Sequence, residues 1–251
     1  MVTTRSGGSR ASTPAPPFTP ATATATSKSS STSSSRRSNQ QKQQRQQLWA
    51  HAPSRLTLLW LAVSLPLVTW DSLYVLLRPW TMEGGHLHWP LWVPYKLYGE
   101  VDHVYGWKAF RAGNGFTSAQ GSLNVVETAL YLAYLGIYFA SAIGVGNGKG
   151  RRQTGGGQGK KVLTGRPAAV AVLLAFSAAV MTLSKTVLYW LNEYFSGFDN
   201  IGHNSWQDLV LLWIIPNGAW LVFPTYLIYV LGGEMIDGLT AASAGVAIKS
   251  E

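Results

Sequence analysis

The sequence predicts an all-α membrane protein: a bundle of four, or five, transmembrane helices behind a disordered N-terminal tail. Three observations lead there. Of the 251 residues, 47% are hydrophobic and only 12% are charged, about half the charged share of an ordinary soluble domain. The apolar residues fall into four stretches, each reaching the roughly 20 residues that cross a hydrocarbon core of about 30 Å as a helix. Finally, 20 Lys+Arg against 11 Asp+Glu give a net charge of +9, and much of that excess sits in two segments without acids. A basic chain invites a nucleic-acid reading, but phosphate binding needs clustered charge, and the low charged fraction argues against a nucleic-acid partner. Eleven Trp and eleven Tyr suit the aromatic belts of a membrane interface. With no Cys, disulfide, thiolate and Cys-ligated zinc chemistry are excluded.

Taken in order, residues 1–55 hold eight basic residues and no Asp or Glu, in runs such as SKSSSTSSSRRS and QQKQQRQQ. So little apolar surface cannot offset the chain entropy of folding, which makes this a disordered tail. Its acid-free, Arg- and Ser-rich composition is that of a mitochondrial transit peptide, but it lacks the amphipathic stripe of one. The transmembrane domain covers residues 56–233, with spans at about 56–77, 119–145, 167–191 and 209–231. Asp71, Glu127 and Lys185 are the formal charges of the first three, and the fourth has none. A soluble four-helix bundle would need a polar outer face on each helix, which VLLAFSAAVMTL and LVLLWIIPNGAWLVF do not offer. The loop between the second and third spans, with its GKGRRQTGGGQGKK run, reads as a flexible basic linker rather than a phosphate-binding loop. A short tail, residues 234–251, closes the chain. Lys and Arg concentrate in the first tail and this loop, so the positive-inside rule puts both termini in the cytosol.

Ionisable groups inside a span are costly and usually face a bundle interior or a cavity. Asp71 shares a helix face with Tyr74. Gln120, Asn124, Glu127 and Tyr131, spaced four, three and four apart, form one helical stripe. Both acids sit nearer the non-cytosolic end of their spans, so the sequence lets them meet. Lys185 is about six residues from its span end, close enough to snorkel to the interface. His86, His88 and His103 lie in an aromatic-rich connection that reads as an interfacial, partly helical lid, its Trp and Tyr at headgroup level. The His-x-His pair beside Glu83 has no ligand spacing that specifies a metal, so neither a metal nor a cofactor is expected.

This polar pattern resembles the emopamil-binding protein superfamily, the EXPERA domain, over about residues 56–233. Asn217-Gly-Ala-Trp220-Leu-Val-Phe-Pro224 is similar to that family's Asn-x-x-Trp-Leu-Val-x-Pro. Val187-Leu-Tyr-Trp-Leu-Asn-Glu193, followed by Gly197-Phe198 and Gly202-His203, resembles its third span and exit. Glu127-Thr128 and Trp70-Asp71 fall where the family has Glu-Thr and a first-span acid. The Ser/Thr-rich tail and Gly-rich loop resemble a fungal branch.

The resemblance implies a multi-pass protein of the endoplasmic reticulum membrane with a sterol-like ligand, and it leaves a homodimer open. Family members include a sterol Δ8–Δ7 isomerase and the sigma-two receptor. In the isomerase reading, a proton is added to one ring carbon and removed beside it, by way of a buried carbocation. Asp71 and Glu127 would share the acid and base work, Asn217 would orient a carboxyl group, and Trp220 would face the cation with its indole ring. Trp70, Tyr74, Asn124, Tyr131 and Tyr189 are the expected ligand contacts. Leu67 stands where the isomerase carries a His. That departure keeps a second reading open: a non-catalytic protein that binds sterols, other lipids or cationic amphiphiles. The blandest reading is a scaffold whose basic tail contacts anionic headgroups of the bilayer.

Overall fold

A computed structural model of the chain describes residues 49–144 and 161–247. Its elements in order are β1 (Ala50–His51), α1 (Arg55–Leu76), α2 (Pro94–Val101), α3 (Trp107–Arg111), α4 (Phe116–Ser141), β2 (Ile143–Gly144), β3 (Lys161–Thr164), α5 (Gly165–Phe195), α6 (Trp206–Asp208), a π-helical stretch (Leu209–Ile214) and α7 (Ile215–Ala247). Among the described residues, four helical runs are long and apolar enough to cross a membrane: α1, α4, α5 and the continuous run from α6 through α7. The tail over residues 1–48 and the Gly-rich linker lie outside the described residues.

α5 is the central helix, packed between α4 and α7, while α1 lies against α4. The cause is written along one face of α5. Ala168, Ala171, Ala175, Ala178 and Ala179 are fully or almost fully buried. Side chains this small let helix backbones approach closely, which is how helices associate where no hydrophobic force separates them from lipid. Tyr131, Tyr134 and Tyr138 of α4 and Leu227 and Leu231 of α7 fill the space around that face. On α4 the buried residues run Thr117, Gly121, Asn124, Glu127, Tyr131, Tyr134, Tyr138, the three-four spacing of a single helical stripe. The outer surfaces carry Leu59, Val63, Leu173, Leu188, Val222 and Tyr229, all exposed. Such a contiguous apolar surface suits lipid and would be a liability in water.

One end of the bundle is closed by a small antiparallel sheet of order β1-β3-β2, with Ala50 opposite Thr164 and Ile143 opposite Val162. The sheet corrects two sequence boundaries. Residues 49–54 belong to the folded part: Trp49 Nε1 donates to the Glu234 carbonyl at 2.8 Å, and buried His51 lies 2.5 Å from Glu234 Oε2 and 2.9 Å from the Tyr134 hydroxyl. Glu234 in turn is not in a loose tail, because α7 continues to Ala247. The second span also starts and ends earlier than expected, at Phe116 and Ser141.

The opposite end is closed by the α1–α4 connection. Arg78 staples it: Nη1 donates to the Val104 carbonyl at 3.1 Å and Nη2 to the Thr117 hydroxyl at 2.6 Å. Burial lowers the guanidinium pKa, yet a guanidinium stays charged in proteins. The connection doubles back where Gly99 meets Gly106. A Cβ on Gly106 would lie 2.5 Å from the Gly99 carbonyl oxygen, closer than any real contact. Asp102 fastens this lid to the bundle. It is fully buried and accepts hydrogen bonds from the Tyr189 hydroxyl of α5, from Trp213 Nε1 of the π-helical stretch at 2.8 Å and from the Val104 amide at 3.1 Å.

Candidate functional site

Between the lid and helices α1, α4, α5 and α7 lies a cavity of about 470 Å³, within the range of roughly 300–1,000 Å³ typical of ligand sites. Its walls are mostly apolar and aromatic. Leu67, Val68 and Trp70 come from α1, Pro94, Leu97 and Tyr98 from α2, and Pro216, Asn217 and Trp220 from α7. Polar groups enter at Asp71, Gln120, Asn124, Lys185 and Tyr189.

Asp71 is the acidic residue of the wall. The Tyr95 hydroxyl donates to its Oδ1 at 2.7 Å, and Asn124 Nδ2 donates to its Oδ2 at 3.3 Å. Tyr95 is held in place by stacking on Tyr74, ring centroids 3.8 Å apart, and Tyr74 donates to the Tyr105 carbonyl at 3.0 Å. Burial pushes the hydroxyls of Tyr95, Tyr98 and Tyr105 above the usual tyrosine range. They therefore stay protonated, as donors. Beyond Asn124 the chain of polar groups continues. Lys185 Nζ donates to Asn124 Oδ1 and, at 3.0 Å, to Glu127 Oε2, where the Thr182 hydroxyl also lies at 2.7 Å.

The sequence-predicted residues divide by place. Asp71, Asn217, Trp220, Trp70, Asn124 and Tyr189 line the cavity. Glu127, Tyr131 and Tyr74 do not. Glu127 and Tyr131 face a separate void of about 20 Å³ beside Ser64, where Glu127 Oε1 and the Tyr131 hydroxyl have no hydrogen-bonding partner among the described residues. Tyr74 stands behind Tyr95. The Asn124 amide and the Lys185 ammonium separate the two acids. The carboxylate-orienting amide is Asn124, whereas Asn217 Nδ2 donates to the Trp213 carbonyl at 2.9 Å and toward the Tyr98 hydroxyl at 3.4 Å. Trp220 meets the Trp60 ring edge-on at 5.2 Å, which sets its indole at the cavity wall.

Lys185 departs most from expectation. It does not snorkel: its side chain is 10% exposed and is paired to Glu127, itself 4% exposed. Tyr95, Tyr98 and Tyr105, expected at headgroup level, turn inward instead. The three histidines of the connection form no cluster. His88 Nδ1 lies 2.9 Å from the Thr81 carbonyl, His103 stacks on His203 at 4.0 Å, and Glu83 pairs with Lys96 at 2.6 Å. Comparison of the chain with protein-family models, with characterised proteins and with solved structures finds no match.

Proposed function

We propose that this chain is a multi-pass protein of the endoplasmic reticulum membrane, with both termini cytosolic, that takes a sterol-like lipid into its cavity and moves a ring double bond, as a sterol Δ8–Δ7 isomerase does. The observation that carries the reading is Asp71: a carboxyl group on the wall of an aromatic, apolar cavity among helices long and apolar enough to cross a membrane. Double-bond migration adds a proton at one alkene carbon, which leaves a carbocation on the other, and removes a proton from the next carbon beyond the cation, with no net change in protons. Asp71 touches the cavity and can give or take a proton. The Trp220 face and, once it has given its proton, the Asp71 carboxylate both favour the cation. The residue motifs that resemble the EXPERA domain support the same substrate class.

The test is expression in cells lacking their own isomerase, with sterols profiled by mass spectrometry. Conversion of Δ8- to Δ7-sterols by the wild type, lost in Asp71→Asn, is the expected result. Persistent Δ8-sterols despite good expression would overturn the proposal.

Two observations favour a second reading, a binder of sterols or cationic amphiphiles without catalysis. Leu67, which cannot carry a proton, lines the cavity where the isomerase has a His, and Glu127 lies off the wall. Saturable amphiphile binding that Asp71→Asn weakens, with no product formed, decides for this reading.

A further inference from the structure

Lys185 is a buried nucleophile that double-bond migration leaves idle. The described residues hold four lysines. Lys96 and Lys108 pair with Glu83 and Asp199 on the surface, and Lys161 is exposed in β3. Lys185 alone among them lines the cavity, with its side chain 10% exposed. An ammonium has three protons to donate. Nζ gives one to Asn124 Oδ1 and one, at 3.0 Å, to Glu127 Oε2, and the third has no partner among the described residues. The Thr182 hydroxyl donates to Glu127 Oε2 at 2.7 Å and so fixes that oxygen within reach of the amine.

A lysine amine in an apolar pocket, with a base at hydrogen-bond distance, is equipped to condense with a carbonyl group. The step balances. Glu127 takes one proton from the ammonium, and the freed lone pair attacks the carbonyl carbon. The C–N bond forms, the C=O π electrons move to oxygen, and a proton passes from nitrogen to that oxygen. Glu127 then returns its proton to the hydroxyl, which leaves as water while nitrogen closes the C=N bond. An ammonium and a carbonyl have become a protonated imine and water. Net charge is unchanged and Glu127 ends as it began, so a cation still faces it. We infer that Lys185 is a covalent site for a lipid carrying an aldehyde or an unhindered ketone, held as a protonated imine against Glu127. The inference rests on the cavity being a lipid site and needs no isomerisation.

The test uses the full chain in nanodiscs of phosphatidylcholine, whose headgroup has no primary amine to compete. Farnesal, an isoprenoid aldehyde, is added with cyanoborohydride, which reduces an imine to a stable secondary amine. Peptide mass spectrometry maps the adduct. Tritiated farnesol and tritiated cholesterol report lipid binding without condensation. In the wild type the adduct is expected on Lys185, at least about tenfold over Lys96, Lys108 and Lys161, and excess farnesol suppresses it. Lys185→Arg keeps a cation beside Glu127 but forms no imine: it loses that adduct and still binds farnesol. Glu127→Gln slows adduct formation about a hundredfold or more, and Glu127→Asp recovers part of the rate. An unchanged rate in Glu127→Gln overturns the part given to Glu127. The wild-type map decides the assignment of Lys185 without any variant. Adduct spread evenly over the lysines, or absent from Lys185 while either tritiated lipid binds saturably, overturns it and leaves the cavity reading standing. A wild type that binds neither lipid overturns the cavity reading too.

Discussion

Asp102 is the clearest case of a residue whose surroundings set its chemistry. It is fully buried, and burial raises its carboxyl from 3.8 to about 6 against the pull of its donors Tyr189, Trp213 and Val104. The folded chain thus holds this proton more tightly than the unfolded chain does. The stabilisation is complete below the ordinary carboxylate value, declines as pH rises, and is gone above about 6. A shift of that size corresponds to about 3 kcal/mol. Thermal unfolding in detergent is expected to show stability falling between pH 4 and 6, and Asp102→Asn is expected to flatten that slope. Asp71 and Asn124 are legible in the sequence because polar groups stand out in an apolar run. Asp102 is not, because it sits among the ordinary polar residues of a connection. Lys185 misleads for a related reason: nearness to a span end suggests snorkelling, and only the fold reveals a carboxylate within reach.

Among the elements, α1 begins with a cap the sequence could have announced. The Ser54 hydroxyl accepts from the Thr57 amide at 2.9 Å and lies 2.9 Å from the Tyr226 hydroxyl. Ser54→Ala is expected to lower stability by about 1 kcal/mol, read as a lower melting temperature. Tyr226→Phe is expected to cost less, since it leaves the cap intact. The lid depends on the Gly99–Gly106 crossing, where a methyl group must displace backbone. Gly106→Ala is therefore expected to loosen the lid and raise protease sensitivity near residues 99–106, while the four long helices keep their circular dichroism signal. The long helices were legible because 20-residue apolar runs are conspicuous. Strands β1, β2 and β3 were not, being two, two and four residues long, too short to display an alternating pattern.

For the whole molecule, the four long helices alternate in direction, with the lid at one end and the sheet at the other. Nothing local says that the last helix should run on past residue 233, since hydropathy fades there. Its continuation is tertiary: Glu234 receives Trp49 and His51, and a Cβ on Gly238 would lie 3.3 Å from the Trp49 ring. Truncation after Gly233 is expected to release β1 and lower the melting temperature by several degrees. His51→Leu is expected to produce a smaller loss through the same contact. The fourth run also contains the π-helical stretch Leu209–Ile214, where the Ile215 amide reaches back to the Val210 carbonyl. Each such turn holds one residue more than an α-turn, which advances everything beyond it by about 100° around the helix axis. The stretch is in effect a phase shifter between two pieces of machinery on one rod: Trp213 points at Asp102 in the lid, while Asn217 and Trp220 point into the cavity. Rewinding it as a regular α-helix without removing a residue would leave both ends chemically intact, yet about 100° out of step.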